Sequence, residues 1–209
     1  MPSFHTLLSF AGVALVMALS PGPNMIYLVS RSICQGRKAG LISLLGVCAG
    51  FFFYMISTAL GVTAIFVTFP ILYELLKIAG ACYLFYLAWK ALRPGGRSPL
   101  QVRQLATVPP SKLFKMGFLT NLFNPKIAMM YLSLLPQFIH PKNGPILSQF
   151  LILGRIQIFV GTSVNGIIAI SASSISSFLT SKTSWLIIQR WVFGCILITL
   201  GLHLLLGHR

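Results

Sequence analysis

Leu7-Leu-Ser-Phe-Ala-Gly-Val-Ala-Leu-Val-Met-Ala-Leu-Ser-Pro-Gly-Pro-Asn-Met-Ile-Tyr-Leu-Val29 is an apolar run long enough to cross a ~30 Å hydrocarbon core as a helix, yet proline interrupts it on both sides of Gly22. A secretory leader would carry basic residues before the apolar stretch and a small-residue cleavage site after it. Here the first Lys or Arg is Arg31, and the segment reads as a retained span. Five further apolar segments follow, at 41–65, 71–92, 114–139, 146–170 and 185–206. Of the 209 residues, 56% are hydrophobic and only 8% charged, where a soluble domain carries ~25% charged residues, so a soluble protein is excluded. The fold expected is all-α, with six transmembrane helices in one membrane domain.

The single polar connection of any length, 94–112, contains Pro94-Gly95-Gly96 and Pro109-Pro110 and divides the chain into segments of about 1–93 and 113–209. At an offset of 104 residues, Ser20-Pro21-Gly22-Pro23-Asn24-Met25-Ile26-Tyr27-Leu28 aligns with Asn124-Pro125-Lys126-Ile127-Ala128-Met129-Met130-Tyr131-Leu132, matching Pro, Met, Tyr and Leu. Three spans per half is an odd number, so the expected halves are inverted repeats with proline-broken helices 1 and 4, a design common among secondary transporters.

Charge sets the expected orientation. Arg31, Arg37, Lys38, Lys90, Arg93, Arg97, Arg103, Lys112, Lys115 and Lys182 fall in the connections of one side, against Lys142 and Arg209 on the other. The basic-rich side is the cytoplasmic one, which puts both termini opposite. The net charge of +15 thus reads as a topology signal and an attraction to anionic lipid, not as a nucleic-acid surface.

Chemistry is bounded by one residue. Glu74 is the only carboxylate side chain, which removes paired-carboxylate catalysis, Asp-assisted triads and carboxylate metal sites, and rules out a proton relay through several acids. Cys34, Cys48, Cys82 and Cys195 form no Cys-x-x-Cys pair and read as reduced packing residues; no cofactor is expected. A proline in a membrane helix frees carbonyls, and a helix restarting after the break presents free N–H groups and a positive dipole end. Ser20, Pro21, Gly22, Pro23 and Asn24 at one break, with Asn121, Asn124, Pro125 and Lys126 at the other, are therefore the candidate substrate-binding residues. Lys126 lies about 12 residues into its span, where an unpaired charge costs from a few to more than ten kcal/mol, and such a residue is a functional candidate by default. Glu74, three residues before Lys77, and Arg155, close to Gln157 and Asn165, are candidates for a coupling or a structural charge. Gly46-x-x-x-Gly50 and Ala14-x-x-x-Ala18 suit close helix packing or pairing of two copies.

Ser20-Pro21-Gly22-Pro23-Asn24, the Gly-x-x-x-Gly of the second span, the run from Lys77 to Arg93, and Gly117-Phe-Leu-Thr-Asn-Leu-Phe-Asn-Pro-Lys126 together resemble the lysine-exporter (LysE/RhtB) family of bacterial amino-acid efflux proteins. The resemblance extends from the first span through the fourth. It implies a multi-pass exporter of amino acids or close derivatives in the bacterial inner membrane, driven by the proton motive force and not an enzyme. One departure is that many members carry a polar or acidic residue after the second glycine, where this chain has Phe51-Phe52-Phe53-Tyr54. The competing expectation is a non-transporting membrane scaffold subunit, which would leave Lys126 without a purpose.

Overall fold

The computed structural model describes residues 1–20, 22–68, 70–93 and 106–180, with scattered helical positions between 191 and 206; for 62–68, 173–180 and several positions of 70–91 only the backbone is described. Every regular element among them is helical. The order is α1 (Phe4–Leu19), α2 (Pro23–Gln35), α3 (Arg37–Thr68), α4 (Pro70–Leu92), α5 (Pro110–Leu122), α6 (Pro125–Met129) and α7 (Ile146–Thr180), with a π turn at Met130–Leu134 and 3-10 turns at Leu135–Phe138 and Pro141–Asn143 between α6 and α7. Among the described residues two helical stretches, Arg37–Gly61 and Ile146–Ala172, are long and apolar enough to cross a membrane, or three if α1 and α2, bent by 53°, make one span. The expected connection at 94–105 and most of the expected sixth span lie outside the described residues.

Proline sets the breaks. The first apolar run stops at Leu19 and restarts at Pro23, where a proline costs nothing because a helix's first N–H has no intrahelical partner. The fourth span, expected to run to 139, divides further than its Asn-Pro suggests. α5 ends at Leu122, α6 starts at Pro125, and after one turn the backbone widens and then tightens toward Pro136. Pro136 has no N–H for the carbonyl four residues back, so the regular ladder cannot continue through it. Between α2 and α3 only Gly36 intervenes, at φ 87°, a left-handed conformation that glycine adopts freely.

Small residues bring the helices together. Apolar helices gain little by leaving lipid for each other, so close approach and dispersion decide which faces meet. α3 packs along α5: a side chain on Gly46 would strike the Phe114 carbonyl, one on Gly117 the Ser43 carbonyl, and one on Gly50 would come within 2.7 Å of the Asn121 Cβ. The Gly-x-x-x-Gly motif is thus used within the chain. Helical rotation of 100° per residue sorts the aromatic run that follows. Phe51 is 1% exposed and faces the interior, Phe52 and Phe53 are about half exposed, and Tyr54 turns back inward. Its hydroxyl donates to the Leu122 carbonyl at 2.7 Å, satisfying an acceptor that the end of α5 leaves free, and its ring stacks on Tyr131 at 5.7 Å.

Polar ties close both ends of the bundle. Near one end, the Arg31 guanidinium donates to the Ala106 carbonyl at 3.0 Å and the Gln35 amide exchanges two bonds with the Val108 backbone, at 2.6 and 3.1 Å, fastening the strand of chain before α5 to α2. At the other, the buried Gln149 side chain donates to the His140 and Gly144 carbonyls, each at 2.9 Å, and accepts from the His140 N–H at 3.1 Å.

Candidate functional site

The two proline breaks meet. From the first turn of α6 the buried Lys126 side chain reaches across to the other half, where its Nζ donates to the Ser20 carbonyl at 2.5 Å. That carbonyl stands at the end of α1, where the chain leaves the helix and no later N–H returns to claim it. Gly22 makes the approach possible: a Cβ there would sit 3.3 Å from Nζ.

The two restarted helices differ in their N-termini. α6 is capped by its own sequence, because the Asn124 side chain accepts from the Lys126 N–H at 3.1 Å. α2 has Gly22 at the capping position and no side-chain cap. An anion is therefore better served at the start of α2, where the helix dipole and the Lys126 ammonium converge.

A narrow cavity lies at this junction, with room for about one water molecule. Its polar lining comprises Ser20, Asn24, Asn124, Lys126, Gln157 and Asn165, and its apolar lining Met17, Met25, Phe51, Ile127 and Met130. Several amides here have unused capacity: both side-chain polar atoms of Asn24, the Asn124 Nδ2 and the Gln157 Oε1 are buried without a hydrogen-bond partner. Buried amide atoms are normally paired, and each one left alone costs about 1–3 kcal/mol, so such a cluster facing a cavity is a place prepared for a polar guest.

Of the candidate residues, Ser20, Gly22, Asn24, Asn124 and Lys126 are brought together around the cavity. Pro23 and Pro125 set the starts of α2 and α6 without lining it, and Pro21 lies outside the described residues. Asn121 is fully buried against Gly50 on α3 instead, with its side chain unpartnered. Arg155 projects from α7 as an exposed residue, about 200° around the helix from Gln157. Glu74 belongs to α4, and its side chain lies outside the described residues. Three residues absent from the candidate set, Gln157, Gly161 and Asn165, form the α7 wall of the cavity. Their i, i+4, i+8 spacing is a signal the sequence carries, since it puts all three on one helical face. Phe51 had no such signal.

No group of three or more His, Cys, Asp or Glu placed to hold a metal ion occurs among the described residues. The arrangement is one of fixed donors and acceptors, suited to binding a zwitterion and not to bond-making.

Comparison with known proteins gives a consistent result. The family model of the LysE type translocator matches residues 15–208. The homoserine/homoserine lactone efflux protein of Salmonella typhi is 30% identical over 200 residues, covering 95% of each chain. A leucine efflux protein of Salmonella choleraesuis (strain SC-B67) is 28% identical over 169 residues, 81% of this chain and 80% of the relative. A membrane protein of Bacillus subtilis (strain 168), YrhP, is 31% identical over 73% of this chain and 76% of its own. No solved structure matches significantly.

Proposed function

The chain belongs to the family of LysE type translocators, and from that membership we propose that it exports amino acids or close derivatives across the bacterial inner membrane. It is a transporter and not an enzyme. The observation that carries the substrate reading is the meeting of the uncapped start of α2 with the Lys126 Nζ over a cavity of unpartnered amides.

Lys126 rests on a neutral carbonyl. A substrate carboxylate brings a full opposite charge where the carbonyl offers only a dipole, so it displaces the Ser20 carbonyl from Nζ and lies against the first N–H groups of α2. The released carbonyl, with the Asn24 Oδ1 and the Gln157 Oε1, then receives the substrate ammonium. One buried bond is exchanged for a set that satisfies both ends of a zwitterion. The present cavity is too small for an amino acid, so the substrate enters as the two breaks part, and alternating access follows from rocking of two inverted three-helix halves around the Ser20–Lys126 junction. A scaffold role gives the buried lysine nothing to do.

Two experiments test this reading. Purified protein in liposomes preloaded with unlabelled amino acid should accumulate the radiolabelled form by counterflow, and in inverted vesicles a protonophore should abolish uphill accumulation. Accumulation that survives the protonophore would remove proton coupling while leaving the exporter intact. Orientation is read separately. A cysteine at Gln101 in a cysteine-free variant should react only from the cytoplasmic side and one at Asn143 only from outside, as the ten-to-two distribution of basic residues requires; the opposite pattern would reverse the topology.

A further inference from the structure

We infer that the cargo carries an uncharged, apolar side chain, seated against Phe51 of α3 and the methionines Met17, Met25 and Met130. The inference rests on the exporter reading and narrows it. Among the described residues Lys126 is the only charged one in the cavity lining, and the zwitterion's carboxylate occupies it. A cationic side chain would meet that ammonium with no acid among the described lining residues to balance it. An anionic side chain would need a second cation that the lining does not supply. Either would be buried unpaired, which is prohibitive beside the modest gain of removing apolar surface from water.

Beside the amides around the Ser20–Lys126 junction, the lining offers an apolar and adjustable surface. Phe51 is 1% exposed, and its ring edge reaches α7 so closely that a Cβ on Gly161 would lie 3.2 Å from it. Gly161 thus leaves the ring its place across the cavity. Methionine side chains are unbranched and polarizable and fill irregular gaps, so a pocket with three of them adapts to several aliphatic shapes while rejecting charge.

The test uses the intact protein in liposomes and counterflow of five labelled probes at equal concentration: leucine, methionine, homoserine, lysine and glutamate. Leucine and methionine should exchange at least about tenfold faster than lysine or glutamate, with homoserine below leucine because its shorter, polar side chain removes less apolar surface from water against Phe51 and the methionines. Phe51→Ala should slow leucine about tenfold and bring it level with homoserine; the wild-type ranking stands on its own if that variant does not fold. Lysine or glutamate exchanging as fast as leucine would overturn the inference while leaving the exporter reading in place, as would homoserine matching leucine, or a folded Phe51→Ala protein with an unchanged ranking. Exchange of none of the five would overturn the exporter reading and the inference with it.

Discussion

Lys126→Met is expected to reduce export to background while leaving the protein at wild-type abundance in the membrane and at least as resistant to thermal unfolding. The substitution keeps the unbranched stem that crosses from α6 toward Gly22 and removes only the ammonium. For folding, two effects oppose. The Ser20 carbonyl loses its donor, which costs about 1–3 kcal/mol, while the chain no longer buries a charge whose hydration was worth at least as much. For transport nothing compensates. Removing one partner of a buried charge pair costs about 2–5 kcal/mol, or roughly thirty- to several-thousand-fold in substrate affinity. Lys126→Arg keeps the charge but must fit a broader head where Gly22 leaves little space, so partial export is expected. Efflux assays at matched expression decide it, and a Lys126→Met protein exporting at the wild-type rate would remove the lysine from the site.

Replacing Pro21, Gly22 and Pro23 together with alanine should abolish export by the opposite route, making the protein more regular. Each proline inside a helix costs about 3 kcal/mol, and three alanines favour joining α1 to α2. A joined helix uses the Ser20 carbonyl and the first N–H groups of α2 in its own ladder, and both disappear from the cavity. The alanine at 22 also crowds the Lys126 Nζ, which lies 3.3 Å from where its Cβ would be. Helicity by circular dichroism should hold or rise while counterflow vanishes. Normal counterflow in a well-expressed triple variant would show that the break serves packing alone.

Both breaks were legible in the sequence because proline acts locally: its missing N–H and fixed φ interrupt a helix whatever surrounds it. The restarts at Pro23 and Pro125 follow. The π and 3-10 turns after α6 trace to Pro136, equally visible but overlooked within a run that otherwise reads as one span. That Lys126 faces the other break was not legible, because the cost of an unpaired charge marks a residue without giving it a direction. Which face of α3 looks inward was not legible, because a helix apolar all round leaves direction to tertiary contact. Phe51 is buried because it turns toward Gly161 of α7, whereas Phe52 is half exposed. The same reasoning separates Gln157 from Arg155, two residues apart on opposite faces of α7.

The fastening of residues 106–108 to α2 sets how firmly the chain entering α5 is held. Arg31 contributes one bond from a charged donor and Gln35 two neutral ones, together worth about 3–5 kcal/mol net of water. The Arg31 Nε is buried without a partner, which holds the sum toward the lower figure. At 1.4 kcal/mol per factor of ten, the unfastened form is populated at between about one molecule in a hundred and one in several thousand. The fastened form dominates. Arg31 and Gln35 therefore set the entry of the chain into α5 while lining no part of the cavity.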